Sequence, residues 1–200
     1  VEFTEAATRR RMVRSFSGAP VPPEVLDRVL AAAATAPSAG NARGWAGVVL
    51  VGAEETAPFW AATTTEEWRA RSRRWPGLHR APVVVALFVH PAAYLARYGE
   101  PDKARSGLDR EAAWPVPYWM VDGGFAALLL QLAALDAGLG ACFLGNFRGE
   151  PALRRALGVP SDHRYLGAVL LGAPGGDDPP SPSLRRGRPG ADALFRRRRW

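Results

Sequence analysis

Arg9-Arg10-Arg11-Met12-Val13-Arg14-Ser15-Phe16 carries four guanidiniums within six residues, just ahead of Ser17-Gly18-Ala19-Pro20, which reads as a loop. What this stretch is decides what the chain is. Read as a site, it is an anion cradle. Planar, forked arginine donors match phosphate oxygens two at a time, each charge-assisted bond contributing about 1.5–3 kcal/mol once partly desolvated. Read as surface, it is a solvated helix end whose cations complement the negative pole of a helix dipole. The rest of the chain has to choose between them.

Upstream, Thr4 as N-cap, Glu5 in the first turn and Ala6-Ala7 predict a short helix over 3–11; Arg10 and Arg14 are four apart, the spacing that one helical face would need. Downstream, Pro22-Pro23-Glu24 opens a second helix over about 23–35, with Val25, Leu26, Val29, Leu30 and Ala33 at helical spacing. Pro37-Ser38-Ala39-Gly40-Asn41-Ala42-Arg43-Gly44 is a small-residue loop, which in isolation reads as a helix stop and an ordinary turn. Trp45 to Val51 is a strand-type apolar run.

Trp60, Trp68 and Trp75 suggest amphipathic helix across 53–80. Pro82 to Val89 has the two-sided apolar character of an interior strand. From His90 to Pro117 the prolines Pro91, Pro101, Pro115 and Pro117 suggest a long irregular stretch of the kind that often carries function. Tyr118 to Ala137 is a long helix, apolar nearly all round and ended by Gly138. Its length would span a bilayer, but Asp122, Gln131 and Asp136 point to the core or dimer contact of a water-soluble protein. A strand follows Gly138-Leu139-Gly140, then a helix from Glu150 to Leu157 and a strand from Tyr165 to Leu171. Beyond Pro174 the Gly-, Pro- and Asp-rich tail cannot make its own core. It is disordered, or it is an arm lying on something else.

Two hundred residues with 48% hydrophobic and 22% charged side chains fit one compact domain burying roughly 70% of its unfolded surface. The N-terminus lacks a secretory pattern, so a cytoplasmic location is expected. Cys142 is the single cysteine and reads as a small buried apolar residue, leaving redox chemistry to a bound cofactor. His79, His90 and His163 are scattered in sequence, and no metal site is expected. The net charge of +7 leaves open a nucleic-acid binder using Arg71, Arg73, Arg74, Arg80 and the Arg196–Arg199 tail. Against that, the basic residues are dispersed and no recognition motif appears.

Taken in order, four segments resemble the nitroreductase family of FMN-dependent oxidoreductases. Arg10-Arg11-Met12-Val13-Arg14-Ser15-Phe16 is similar to its Arg-Arg-Ser-x-Arg-x-Phe, and Ala36 to Trp45 to its Ala-Pro-Ser-x-x-Asn-x-Gln-Pro-Trp. Asp122 to Gly145 resembles its interface helix and Gly-Leu-Gly strand, and Arg186-Gly187-Arg188-Pro189 its C-terminal phosphate clamp. Met12 stands where the family has serine, and Arg43-Gly44 where it has Gln-Pro.

The resemblance implies an α+β nitroreductase-like fold, a central, largely antiparallel sheet surrounded by helices in a domain-interlocked homodimer. Residues 1–174 would form the FMN-binding domain and 175–200 an arm that completes the phosphate site and the dimer. It implies that Arg10, Arg11, Arg186 and Arg188 hold the FMN phosphate, with Met12 beside them, and that Arg14 faces flavin N1 and O2. Pro37, Ser38, Ala39 and Asn41 would reach the flavin from the partner subunit, and Phe143, Leu144 and Gly145 would cross its face. Trp114, Tyr118 and Trp119 are candidates for a substrate lid, or for plain core packing. The implied activity is ping-pong transfer of hydride from NAD(P)H through flavin N5 to a quinone or nitro compound; a specialised oxidase or dehydrogenase of a biosynthetic pathway is the alternative.

Overall fold

The computed structural model describes residues 1–71, 77–146, 148–178 and 181–198. Four antiparallel strands, β1 (Trp45–Val51), β2 (Val83–Val89), β3 (Gly140–Leu144) and β4 (Arg164–Gly172), lie in the order β1-β2-β4-β3. Every residue of β2 is buried, because β2 is central and covered on both faces. Val83, Val85 and Leu87 face one cluster with Leu26, Val29, Leu130 and Ala134. Val84 faces the other, with Phe16, Phe59, Trp60 and Leu153. Alternate residues of a strand point to opposite faces, so an unbroken apolar run becomes a three-layer sandwich.

Helices α2 (Pro23–Ala33) and α6 (Tyr118–Asp136) cover the first face. The second is covered by α3 (Gly52–Thr63) and α7 (Glu150–Ala156), with the short α4 (Glu66–Arg71) following α3. The amphipathic region expected over 53–80 is thus two helices and a 3-10 turn at Leu78–Arg80, and Trp75 lies outside the described residues. The stretch expected to be irregular contains α5 (Pro91–Gly99) and two 3-10 turns. Pro91 occupies the first turn of α5, where a missing N–H costs nothing.

The first helix, α1, covers Phe3–Arg9 only; Glu2 rather than Thr4 precedes it, with no side-chain cap. Residues 10–16 are extended, held by bridges from Met12 to Ala141 and from Phe16 to Pro174. Arg10 and Arg14 are therefore not one turn apart on a helix.

Helix α6 passes for a membrane span by length and composition, but Ala126, Ala127, Leu130 and Ala134 are buried and Asp122 is hydrogen-bonded inside. Its outer stripe is uncovered: Tyr118, Phe125 and Leu128 are 43–45% exposed. Its end is a Schellman closure, with Leu139 N bonding Ala134 O at 2.7 Å and Gly138 N bonding Leu135 O at 3.0 Å. Gly138 (φ 76°) supplies the left-handed residue that this turn needs. The arm carries a 3-10 turn at Pro182–Arg186 and the short α8 (Ala191–Leu194), with Leu194 and Phe195 exposed.

Candidate functional site

The arginine segment is positioned by β3. Val13 N–H donates to Ala141 O at 2.9 Å, and Phe143 N–H donates to the Met12 thioether at 3.4 Å. That contact brings Met12 to Phe143. Arg14, half-buried, donates to Met12 O at 3.4 Å, and its charge reaches the Cys142 thiol. Cys142 is 3% exposed, and burial pushes its pKa up to about 11. It is a packing residue, not a thiolate.

Two acids that the sequence did not single out pin this segment from the other side. Asp178, its side chain 4% exposed, pairs with Arg11 and accepts the Arg14 N–H at 3.0 Å. Asp177 accepts from Ser15 Oγ and from Arg80 at 3.1 Å, while Arg80 Nε also donates to Phe16 O at 3.0 Å. The Ser15 hydrogen bond and Arg80 hold the Asp177 carboxyl below its usual range. The signal lay in an Asp-Asp pair placed after the last strand of a chain that opens with an arginine run.

These contacts divide the cluster. Arg9 pairs with Glu5 one turn back and Arg11 is neutralised by Asp178, whereas Arg10 Nη1 is buried with no hydrogen-bond partner. Arg10 lines a cleft of about 340 Å³ with Arg9, Arg11, Gln131, Leu135, Gly138 and Pro174 among its neighbours. Gln131 also lines the cleft, and its Oε1 is buried and unpartnered. Arg10 is thus half-buried where Arg9 and Arg11 are exposed. Arg188 is brought to this end of the molecule, donating to Thr8 O at 3.2 Å, and Arg186 is exposed two residues before it.

The Pro37–Gly44 loop sits at the other end of α6. Asp122 Oδ2 accepts from Ala39 N–H at 2.8 Å and from Tyr94 Oη at 2.7 Å. Burial, reinforced by Asp122, lifts the Tyr94 phenol above its ordinary range. Arg97 clamps Gly40 O at 2.8 Å while Asp102 holds its guanidinium by two bonds of 2.7 Å. Ser38 Oγ accepts from Arg43 N at 3.0 Å and Asn41 Oδ1 from Arg43 Nε at 3.0 Å. Asn41 (φ 58°) and Arg43 (φ 50°) are left-handed, a strain that persists only where surrounding contacts over-determine the backbone. Pro37 and Asn41 are exposed, Ser38 and Ala39 half-buried.

Phe143 and Leu144 are half-buried at the end of β3 and Gly145 is exposed beyond them. The Phe143 ring would lie 2.5 Å from a Cβ on Gly167, so the ring's place requires glycine there. Leu144, Gly145 and Asn146 border a second cavity of about 300 Å³ with Thr63, Thr64 and Trp68. Among the candidate lid residues, Trp119 is 3% exposed and packs with Tyr94 and Trp114 at 5.8–6.0 Å between rings. Trp114 is tied to Leu108 O at 2.8 Å, and Tyr118 is exposed at the edge of this cluster.

Of the residues considered for nucleic acid, Arg80 is engaged with Asp177 and Phe16; Arg73, Arg74 and Arg199 lie outside the described residues. The histidines are not all scattered. His90 and His163 stack with centroids 4.5 Å apart against Asp162, a juxtaposition that depends on strand register and is invisible in the spacing.

The Nitroreductase family model matches residues 7–173. The chain is 31% identical over 186 residues to the 5,6-dimethylbenzimidazole synthase of Rhodobacter capsulatus, covering 86% of this chain and 83% of that protein. It is 28% identical over 191 residues to iodotyrosine deiodinase 1 of Rattus norvegicus, covering 86% of this chain and 62% of the deiodinase, so it spans less than two thirds of that relative. Among solved structures, an Exiguobacterium sibiricum protein described as nitroreductase-like, in complex with FMN, superposes with a TM-score of 0.72 at 18% identity, covering 98% of this chain and 97% of that one. With the family match running over most of the chain and the architecture shared with it, the chain belongs to the nitroreductase family.

Proposed function

We propose that this chain is an FMN-dependent oxidoreductase, active as a homodimer, that takes reducing equivalents from NAD(P)H and delivers them to a small planar acceptor such as a quinone or nitro compound. The observation carrying this reading is the pair of buried, unpartnered atoms in the cleft, Arg10 Nη1 and Gln131 Oε1. Each unmade bond costs about 1–3 kcal/mol. One atom lacks an acceptor and the other a donor, and a ligand bearing both a phosphate and hydroxyls supplies both. The ribityl phosphate of FMN has that chemistry.

When bound, FMN supplies two-electron hydride chemistry at N5, serving reductant and acceptor in turn. Arg10 holds the phosphate with Arg186 and Arg188, while Arg11, already paired with Asp178, adds less. Asp178 and Met12 keep the Arg14 segment against β3, so that its guanidinium stabilises negative charge at the flavin N1 and O2 edge without reorganising. Pro37, Ser38, Ala39 and Asn41 serve the partner subunit's flavin, and Phe143, Leu144 and Gly145 line the ring face. Tyr118, backed by Trp114 and Trp119, flanks the acceptor.

Purified protein should be yellow and should bleach anaerobically with NADH or NADPH. Colourless protein that takes up no added FMN overturns the reading. The 31% identity to a 5,6-dimethylbenzimidazole synthase favours a second reading, a specialised flavin-dependent oxidation. Yellow protein that NAD(P)H does not bleach, but that free reduced flavin or oxygen carries through turnover, would select it.

A further inference from the structure

β2 and β4 pair antiparallel with Val89 opposite Arg164, so the next cross-strand pair beyond the ladder is His90 and His163. Directly opposed residues have Cβ atoms about 4.5–5.5 Å apart, and here the rings stack with centroids at 4.5 Å and planes 8° apart. Both face one carboxylate. His90 Nε2 lies 3.1 Å from Asp162 Oδ2 and His163 Nδ1 lies 2.8 Å from Asp162 Oδ1. We propose that His90, Asp162 and His163 bind a late first-row divalent cation, zinc foremost, with solvent completing the coordination.

The distances suit that role. Donors held tetrahedrally by one ion at about 2.0–2.2 Å lie roughly 3.3–3.6 Å apart, so the nitrogen–oxygen separations of 3.1 and 2.8 Å would open by less than about 1 Å. One ligand atom from each of the three residues lies within 4.8 Å of the others, so binding requires the two rings to rotate out of their parallel stack until their in-plane lone pairs converge on the ion. A set of two imidazoles and one carboxylate is borderline in softness and suits zinc and its neighbours over calcium or magnesium. The scaffold is rigid: His90 N–H donates to Gly44 O at 2.8 Å at the end of the buried strand β2. Neighbouring charge does not oppose a cation, since Arg164 is held by Glu111 through bonds of 2.7 and 2.8 Å. Asp162 is half exposed, with 55% of its side chain open to solvent, which leaves a path for entry. The ion would staple β2 and α5 to β4, directly behind the Pro37–Gly44 loop, and no step of the flavin chemistry passes through it.

The test uses the tag-free, flavin-loaded chain titrated with zinc chloride by calorimetry and with cobalt chloride by visible absorption beyond the flavin bands. One saturable equivalent is expected. His163→Gln and Asp162→Asn should each weaken binding at least about tenfold, the smallest loss seen even for residues behind the ligands, while His79→Gln should bind as the parent does. At about a hundredfold excess over the parent's Kd, zinc should raise the unfolding midpoint of the parent by about 5 °C or more and that of His163→Gln by no more than about half as much. Absence of saturable binding, or binding that His163→Gln and Asp162→Asn leave unchanged, overturns the site whether or not the protein proves to be a flavoenzyme.

Discussion

Asp122→Ala removes one acceptor from two donors, Tyr94 Oη at 2.7 Å and Ala39 N–H at 2.8 Å. Asp122 is 2% exposed and Tyr94 is 0% exposed, so water cannot replace the carboxylate without opening the core. Hydrogen bonds to a charged group contribute about 1.5–3 kcal/mol each, which puts the loss at about 3–6 kcal/mol. For a chain of this length that is a fall of roughly 6–24 °C in the unfolding midpoint. Tyr94→Phe deletes one donor and leaves the Ala39 bond, so it should cost about half as much, and the double variant should fall short of the sum by about 1 kcal/mol or more. Asp122→Asn keeps one acceptor oxygen and remains folded for comparison if the alanine variant does not. Urea unfolding followed by circular dichroism gives the energies. Because the Ala39 bond anchors the Pro37–Gly44 loop, FMN retention on dialysis should decline in step. Strict additivity of Asp122→Ala and Tyr94→Phe, or an alanine variant within 1 kcal/mol of the parent on the scale of an ordinary surface substitution, refutes the view that this carboxylate joins loop, α5 and α6.

Arg10→Ala should chiefly weaken FMN retention, whereas Arg14→Ala should lower the flavin reduction potential and turnover more than retention; spectroelectrochemistry beside dialysis would reveal the reverse pattern if the roles are exchanged. Leu128→Glu, on the uncovered stripe of α6, should convert a dimer to a folded monomer in sedimentation and release FMN with it, and an unchanged sedimentation coefficient would remove α6 from the interface. Asp177 has a depressed folded-state pKa, caused first by Ser15 and then by Arg80, so its contribution is present above the unfolded value of about 3.9 and is lost as pH falls through the folded value. The urea midpoints of the parent and Asp177→Asn should accordingly differ near neutrality and converge below about pH 4; a gap that persists in acid would mean that the Asp177 charge is not what anchors Ser15.

The features legible in the sequence were those that a single periodicity determines. Val83 to Val89 read as a strand buried on both faces, and the apolar run after Tyr118 as a long helix whose Asp122, Gln131 and Asp136 spoke for packing in a core. Residues 10–16 were harder, since Arg and Met favour helix locally while the bridge of Met12 to Ala141 comes from a strand some 130 positions away. Pro91 looked like a breaker and turned out to open α5, because the same residue that ends a helix also fits its first turn. Asp177 and Asp178 were hidden in a Gly- and Asp-rich tail whose composition reads as turn. The pairing of His90 with His163 required the β2–β4 register, and single-strand patterns carry no register between strands.

The separation of the two half-sites along α6 argues for how the proposed dimer is built. Asp122 holds the Pro37–Gly44 loop, and Gln131 and Leu135 line the Arg10 cleft; at 1.5 Å per residue these lie about 14–20 Å apart on the helix axis. Within one chain, the loop therefore serves one end of α6 and the arginines the other. Tyr118, Phe125 and Leu128 are exposed and recur at helical spacing on one stripe, which gives two copies of α6 a self-complementary apolar face. In the proposed homodimer a two-fold axis crossing this stripe would run the two helices antiparallel, so that the loop end of one copy lies toward the cleft end of the other. In that proposed arrangement the partner's loop would approach the cleft lined by Arg10 and Gln131, whose Nη1 and Oε1 are two of the buried side-chain atoms left without a partner in the single chain. On the proposed dimer, the stripe that leaves the single chain's surface apolar would also complete the proposed cofactor site. For that reason Leu128→Glu, which touches neither half-site directly, is expected to release FMN.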